Sequence, residues 1–316
     1  MSEYLSFYVQ RYFISYLMKQ HNYGANTISS YRDTFRLLLS FMSISCVDTS
    51  KIKIHDINHD KILEFMTWLT EVRKNGVSTR NVRLAHMKSF FRYVMIITPE
   101  HSEQCREILA IPFGKEDKKP PVCMSTDAVK QLLASIDSSV DEGLRHLALL
   151  SLMYDSACRV QEIINLNVRD FHAGQCSRIY VHGKGNKYRS VPLLGETEKI
   201  VSKYIKYFRL LPDSPLFCNK KGERLTRQGI RYIIQKYSKV ANENTSGIIE
   251  SSVYPHILRH SKATHLVNRG VNIYNVRDFL GHESVATTQI YLTTNPEITR
   301  KAIESVAEKT VPESLD

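Results

Sequence analysis

A polar segment that ends in two prolines divides this 316-residue chain. The segment Gly114–Pro121 reads GKEDKKPP. Consecutive prolines prevent a helix from continuing, and so polar a stretch cannot run through a hydrophobic core. We therefore expect a linker at 114–121 between a first domain at 1–113 and a second at 122–316, which fits a chain of this length.

Both parts of the chain are basic. Lys and Arg number 43 against 32 Asp and Glu, a net charge of +11, and residues 1–121 contribute 17 basic and 12 acidic groups. A charge of this sign indicates a polyanionic partner. No apolar run approaches the ~20 residues that span a bilayer, and the N-terminus lacks a secretion-signal pattern, so we expect no membrane partner. Six cysteines without zinc-ligand spacing predict free thiols in a reducing cytoplasm and no metal site.

The first domain is predicted to be helical. Apolar residues recur at helical spacing in four segments, namely Tyr4–Lys19, a helix capped by Asn26 and Thr27, His59–Arg73, and a helix capped by Ser78 or Thr79. Four helices of this length bury a shared core.

The fourth predicted helix carries a run of positive charge. Between Val72 and Pro99 no residue is acidic, and six are basic: Arg73, Lys74, Arg80, Arg83, Lys88 and Arg92. One interpretation is a solvated helix face. The other is a face that contacts DNA phosphates and releases counterions when it binds.

The second domain contains chemically informative motifs. Arg159 and Glu162 are three residues apart, so they share a face if the segment is helical, and a structural Arg–Glu pair is the alternative. Residues 178–193 alternate as a β-hairpin, whose turn places Lys184 at a glycine-flanked tip. This lysine is either a solubilising turn residue or a mobile ammonium that reaches a phosphate.

Further along the chain, His256 and Arg259 are spaced to point the same way, whereas we expect His260 and His265 to face elsewhere. Gly281 ends one helix, and His282 follows it. Tyr291 comes nine residues later. Each has a structural alternative, because a His–Arg pair often stabilises a fold and the chain has 17 tyrosines.

Together these residues match the needs of metal-free attack on a phosphodiester. Two guanidiniums stabilise the charge that develops on the phosphoryl oxygens. A phenol is a nucleophile that can leave again, so cutting is reversible. A Lys or His protonates the departing sugar oxygen. We expect no cofactor and no metal.

The order Arg159, Lys184, His256-x-x-Arg259, His282, Tyr291 resembles the tyrosine recombinase (phage integrase) family in its compact Xer-like form. The matching strings include CRVQEIINL at 158–166, HILRHSKATHL at 256–266 and LGHESVATTQIY at 280–291. The resemblance implies a mainly α fold with a small β-sheet: an N-terminal helical core-binding (SAM-like) domain and an α+β catalytic domain. One departure is Tyr154–Cys158, where relatives often have a threonine-glycine turn.

The resemblance also implies residue roles. Tyr291 attacks the scissile phosphate to form a 3′-phosphotyrosine, Arg159 and Arg259 bind the phosphoryl oxygens, and Lys184 protonates the leaving oxygen. His256 assists proton transfer, His282 supports the phosphate or orients the tyrosine, and Glu162 supports Arg159. Lys187 is a rival for the lysine role. Lys187 and Arg189 are also expected to contact DNA, together with the basic run of the first domain.

At the level of the whole protein, the resemblance implies a site-specific DNA recombinase that cuts and rejoins duplex DNA through a Holliday junction. The expected task is integration, excision or transposition of a mobile element, with chromosome dimer resolution as the alternative. It further implies a C-shaped clamp on double-stranded DNA, a homotetramer on two sites and a bacterial, nucleoid-associated enzyme. A tail helix at 297–308 packs either on a neighbouring subunit or on its own domain. A topoisomerase of type IB and a vestigial DNA-binding module are the other function classes.

Overall fold

The computed structural model describes residues 3–44, 48–116, 122–183, 188–243, 249, 253–282 and 284–291. The chain forms two compact units, Met1–Lys118 and Lys119–Asp316. The described residues are mainly helical with a small three-stranded sheet in the second unit, which confirms the predicted fold class. No helix among the described residues is long and apolar enough to cross a membrane.

The first unit is a helical bundle. Its helices are α1 (Leu5–Arg11), which continues as a π-helix (Tyr12–Gln20), α2 (Ala25–Ile44), α3 (His59–Glu71), α4 (Val77–Ile97) and α5 (Ser102–Ala110), with short 3-10 turns at Ile54–Asp56 and Pro99–His101. The helical apolar stripes meet in one core, in which Tyr12, Phe35, Phe65, Phe90 and Phe91 are buried. Helix α5 is an element that the sequence did not indicate.

Two helix starts differ from the predicted positions. Helix α4 begins at Val77 with Gly76 as its N-cap, and no side chain caps it. The Arg80 amide instead donates to the Gly76 carbonyl at 3.0 Å, so the backbone ladder starts before the predicted caps Ser78 and Thr79. Helix α2 likewise starts at Ala25, ahead of the predicted cap.

The start of the predicted linker is attached to the first unit. The Asn81 side chain donates to the Gly114 carbonyl at 2.8 Å and accepts from its amide at 2.9 Å. A paired amide of this kind fixes the backbone at Gly114 against α4. Residues 117–121 of the predicted linker lie outside the described residues.

The second unit packs its helices and one face of its small sheet into a shared core. The helices are α6 (Thr126–Ala134), α7 (Asp141–Ser156), α8 (Val160–Asn165), α9 (Gly195–Tyr207), α10 (Arg227–Glu243), α11 (Pro255–Asn268), α12 (Ile273–Leu280) and α13 (Ala286–Gln289), with a 3-10 turn at Val168–Asp170. Ser125 caps α6 as its sequence suggests, because its hydroxyl accepts from the Ala128 amide.

The sheet is antiparallel in the order β1 (Phe171–His172), β2 (Arg178–His182), β3 (Tyr188–Pro192). Strands β2 and β3 form the predicted hairpin, and its turn at 184–187 lies outside the described residues. Ile179 pairs with Val191, and Val181 pairs with Arg189. Because paired residues share a face of the sheet, this register directs Arg189 toward the buried side with the three aliphatic residues.

Candidate active site

Arg259 is held inside the second unit by two backbone carbonyls. Its Nη1 donates to the Ala157 carbonyl at 2.6 Å and its Nη2 donates to the Leu280 carbonyl at 2.8 Å. Ala157 ends α7 with a left-handed φ of +48°, and Leu280 is the last residue of α12. The side chain is 4% exposed. Burial and the nearby charge of Arg159 lower the pKa of Arg259 to about 10, so it is cationic at neutral pH.

Ala157 lies in the segment that departs from the threonine-glycine turn of the family it resembles. A left-handed residue is required there, and a non-glycine residue in that conformation costs about 1–2 kcal/mol. The Arg259 bond to the Ala157 carbonyl helps to offset this strain. The local geometry expected of a glycine turn is therefore present without the glycine.

Arg159 lies at the start of α8. Its amide donates to Glu162 at 2.7 Å, its Nη1 donates to the same carboxylate at 3.0 Å, and its Nη2 donates to the Gly281 carbonyl at 3.2 Å. The side chain is 38% exposed. Arg159 and Arg259 therefore both end at the Leu280–Gly281 corner, where α12 stops, and only Arg159 of the two is open to solvent.

Glu162 joins Arg159 to a second guanidinium, that of Arg189, which the sequence predicts to contact DNA. Arg189 makes two bonds of 2.9 Å to the Glu162 carboxylate and is 17% exposed. Burial by itself raises the pKa of Glu162, but the bonds and charge of Arg189 and the amide of Arg159 outweigh it and hold the pKa at about 2. Arg189 therefore serves to position Glu162, and its contact with DNA stays a prediction. Arg189 and Val191 are two residues apart in a strand, so their side chains lie on the same face. This spacing is the sequence signal that the Arg189 side chain points inward.

Gly281 is required by both its conformation and its neighbours. Its φ is +65°, and a Cβ placed there would lie 3.0 Å from the Arg189 guanidinium. Its carbonyl also accepts the bond from Arg159. A glycine at the end of α12 therefore lets the guanidiniums of Arg159 and Arg189 both lie close to Gly281.

Two of the predicted histidines lie near the arginines. His256 is exposed in the first turn of α11, and partial burial of its ring together with the charges of Arg259 and Arg159 lowers its pKa. His282 lies just after the α12 corner, with its Nδ1 2.9 Å from the Thr288 hydroxyl. Burial and the same arginine charges lower the pKa of His282 to about 4. The His282 imidazole is therefore neutral at neutral pH.

Tyr291 is buried in an apolar cluster, and its hydroxyl meets a histidine. It is 1% exposed and packs with Ala157 and Leu280, whose carbonyls hold Arg259. Its hydroxyl oxygen lies 2.7 Å from Nδ1 of His260. Burial raises the pKa of the Tyr291 phenol, and the charge of Arg259 opposes this.

The expectation that His260 faces away from the site is wrong. His256 and His260 are four residues apart in α11, so they lie on one helix face, with ring centroids 6.3 Å apart. The same spacing was visible in the sequence. Burial, His256 and Arg259 lower the pKa of His260 to about 4.

The structure leaves two predicted lysines undescribed. Lys184 and Lys187 belong to the turn at 184–187, which lies outside the described residues, as does the predicted tail helix at 297–308. Their roles therefore stay predictions. Among the residues that are described, no group of three or more His, Cys, Asp or Glu side chains is arranged to hold a metal ion.

The basic run of the first unit divides into exposed and partly buried residues. The exposed ones are Arg73, Lys74 and Arg92. Arg80 is half-buried, and its guanidinium lies so close to the Gly114 backbone that a side chain there would collide with it. This basic run is therefore not one continuous solvated face.

Arg83 and Lys88 have partners within the first unit. Arg83 Nη1 donates to the Ser30 carbonyl and the Thr34 hydroxyl, both at 3.0 Å. Lys88 Nζ donates to the Leu109 carbonyl at 2.8 Å and lies 4.7 Å from the Phe113 ring centre. These two side chains tie α4 to neighbouring segments, and their contacts with DNA stay predictions.

Comparison with known proteins agrees with this architecture. The phage integrase family matches residues 123–297, and the phage integrase N-terminal SAM-like domain matches residues 10–96. A helical N-terminal unit followed by a mixed unit with two arginines, two histidines and a late tyrosine defines a tyrosine recombinase. The chain belongs to the phage integrase family.

The relatives include close full-length matches. A Sinorhizobium fredii protein named as an integrase/recombinase is 34% identical, and the match covers 97% of this chain and 91% of that protein. Tyrosine recombinase XerD of Listeria innocua is 32% identical, with 88% and 91% covered. The Tn1549 transposon integrase in complex with transposon right end DNA shares the fold, with a TM-score of 0.73 at 16% identity over 96% of this chain and 99% of that one.

Proposed function

We propose that this recombinase cuts and rejoins double-stranded DNA at specific sites with Tyr291 as its nucleophile. The observation that supports the proposal is the convergence of three groups on the end of α12. Arg259 binds the Leu280 carbonyl, Arg159 binds the Gly281 carbonyl, and Tyr291 packs against Leu280. A phosphate at this corner meets two cations and a phenol.

In the proposed step, the Tyr291 oxygen attacks the scissile phosphorus while the bond to the 5′ oxygen breaks. The products are a 3′-phosphotyrosine and a free 5′ hydroxyl. Arg159 and Arg259 stabilise the charge on the phosphoryl oxygens. Lys184 protonates the leaving oxygen, with Lys187 as the rival.

The remaining residues support this step. His256 assists proton transfer from the exposed side, and His282 supports the phosphate or orients the tyrosine. Glu162 holds Arg159 in place, and the two bonds from Arg189 keep that carboxylate ionised. Such fixed partners hold charged groups in position before substrate arrives.

The nucleophile must become accessible when DNA binds. Tyr291 is 1% exposed and Arg259 is 4% exposed, whereas Arg159 and His256 already face solvent. Because Arg259 and Tyr291 are buried side by side, one opening step exposes both. We infer that target DNA drives this opening, which restricts strand cutting to assembled complexes.

The proposed biological task is integration, excision or transposition of a mobile element by a homotetramer on two DNA sites. The tail at 297–308 contacts a neighbouring subunit in this proposal, and the enzyme acts in the bacterial cytoplasm on the nucleoid. The alternative is chromosome dimer resolution by a Xer-like recombinase, which the 32% identity to a protein named XerD favours.

The experiment is cleavage of a nicked suicide substrate that carries the target site. We expect a covalent protein–DNA adduct on a denaturing gel, its absence with Tyr291→Phe, and joining of two sites on intact duplexes. An adduct that persists in Tyr291→Phe contradicts the assigned nucleophile. Loss of supercoils without joining indicates a topoisomerase, and binding without any adduct indicates a vestigial module.

A further inference from the structure

The Tyr291 phenol has a built-in partner that the proposed roles do not use. Nδ1 of His260 lies 2.7 Å from the phenol oxygen, within the range from which a general base removes a proton. The phenol must lose its proton as it attacks phosphorus, and burial makes that loss harder by raising the pKa of Tyr291. The reaction therefore needs a proton acceptor at this oxygen.

His260 is in the right state to accept a proton. Its imidazole is neutral at neutral pH, because burial, together with His256 and the charge of Arg259 on its own helix, keeps the pKa at about 4. The groups that face it are His256 and Arg259 of α11, His282 beyond α12, and Tyr291 itself. A DNA phosphate bound near Arg259 adds negative charge here and makes protonation of His260 easier.

We propose that His260 is the general base that takes the phenol proton when Tyr291 attacks DNA. The oxygen–phosphorus bond forms, the bond from phosphorus to the 5′ oxygen breaks, the phenol proton moves to Nδ1 of His260, and the leaving oxygen takes a proton from the acid. In the reverse step, His260 returns the proton to the departing phenol. This inference rests on the proposed function of Tyr291.

The positions of the other histidines favour His260. His256 lies at the exposed side of the arginines, and Nδ1 of His282 is engaged by the Thr288 hydroxyl. His260 and Tyr291 belong to the same unit, so one subunit supplies nucleophile and base.

The chain offers a matched control on the same helix. Nδ1 of His265 lies 2.8 Å from the Tyr154 hydroxyl, so α11 carries a second histidine–tyrosine pair of the same geometry. His265 also meets the Met124 carbonyl through Nε2, which marks the pair as structural. Replacing His265 tests what loss of such a bond does to the helix without touching the reacting phenol.

The test is single-turnover cleavage by His260→Gln and His265→Gln. The substrate has a bridging sulfur at the 5′ leaving position, which needs no acid, so the rate reports on the nucleophile. Glutamine keeps a hydrogen-bonding side chain but cannot take a proton. We expect His260→Gln to cleave about 10²- to 10³-fold more slowly, with DNA affinity unchanged, and His265→Gln to cleave at close to the wild-type rate.

A second measurement separates a base from a merely structural residue. Incorporating 3,5-difluorotyrosine at position 291 lowers the phenol pKa and so reduces the need for a base. We expect this replacement to recover about tenfold or more of the rate lost in His260→Gln, and to change the wild-type rate far less. His260→Asn serves as the second variant if His260→Gln fails to bind DNA.

Three results would overturn the inference: a His260→Gln rate within about threefold of wild type, an equal loss in His265→Gln, or no rescue by the fluorinated phenol. If the proposed function of Tyr291 is wrong, Tyr291→Phe still forms the covalent adduct. That result distinguishes failure of the proposed function from failure of the base assignment. If Tyr291→Phe abolishes cleavage and His260→Gln does not, only the base assignment is wrong.

Discussion

Glu162 lies between two guanidiniums and connects the arginine that faces solvent with the sheet. It is 7% exposed, and both of its carboxylate oxygens accept from arginines. A buried carboxylate with such partners is stable as an anion. Without it, the mostly buried Arg189 is an uncompensated cation and the more exposed Arg159 loses its ion-pair partner. The ionisation of this one residue therefore affects both the stability of the unit and the position of Arg159.

We predict that Glu162→Gln destabilises the second unit by about 3–5 kcal/mol at pH 7, because two guanidiniums lose their counter-charge. Urea unfolding followed by circular dichroism measures the loss. The control is Glu142→Gln, since the side chains of the Glu142–Lys236 pair are 42% and 41% exposed and such a pair is worth less than about 1 kcal/mol. Equal losses in the two variants contradict the prediction.

Glu162 also makes the stability of the second unit depend on pH. The pKa of Glu162 is lowered from 4.5 to about 2 by folding, so its stabilisation is complete above pH 4.5 and is lost as the pH falls toward 2. The shift corresponds to about 3 kcal/mol. The stability difference between wild type and Glu162→Gln should therefore narrow over that interval, and a constant difference speaks against it.

Helix α4 shows that a run of basic residues along the sequence need not form one charged surface. Seven of its side chains are buried, on several sides of the helix, since α2, α3 and α5 all pack against it. Long basic side chains reach past this core, and some find carbonyl partners on neighbouring segments, as Lys88 does. Position along the helix then decides which of the basic residues face solvent.

We predict different effects for two basic residues of α4. Arg92→Ala should weaken DNA binding and reduce the slope of log affinity against log salt by about 0.9, because an exposed phosphate contact is lost. Lys88→Met should leave that slope unchanged and lower the stability of the first unit by about 1–3 kcal/mol, because its bond to Leu109 is lost. Fluorescence anisotropy across a salt series and urea unfolding make the two measurements.

The opposite pattern, in which Lys88→Met alone changes the salt slope, contradicts this division of the helix. Lys74→Ala is a useful companion variant, since this residue is exposed just before α4 begins. Its effect should resemble that of Arg92→Ala.

Across the whole molecule, buried histidines link stability to pH. Burial lowers the pKa of His86 in the first unit, and of His146, His260 and His282 in the second, from 6.5 to about 4. A lowered pKa means that unfolded histidines take up protons first, so stability is complete above pH 6.5 and falls as the pH drops toward 4. Each histidine accounts for up to about 3 kcal/mol.

We predict that the second unit loses more stability than the first between pH 7 and pH 5, because it carries three of these histidines. Trp68 is the single tryptophan and lies in the first unit, so its fluorescence follows that unit, while circular dichroism follows both. His146→Gln should reduce the pH dependence of the second unit and leave the Trp68 transition unchanged. Equal stability at the two pH values is incompatible with this account.

The sequence by itself determined the helical class of the chain and predicted its division and its site residues. Those features are local: two prolines, apolar residues at helical spacing, and motifs such as HILRH that place His256 and Arg259 one turn apart. Local spacing sets helix faces directly, which is why the helices appear close to their predicted positions. The four-residue spacing of His256 and His260 likewise places both on one face of α11.

Only the tertiary structure decided which distant groups meet and which are buried. Arg189 reaches Glu162 across 27 residues through the register of β2 and β3, and Tyr291 reaches His260 across 31 residues through packing at the end of α12. Those pairings depend on how separate elements dock, and the free energy of docking comes from many contacts spread along the chain. A charge or a hydroxyl therefore has no assigned partner until the core that surrounds it has formed.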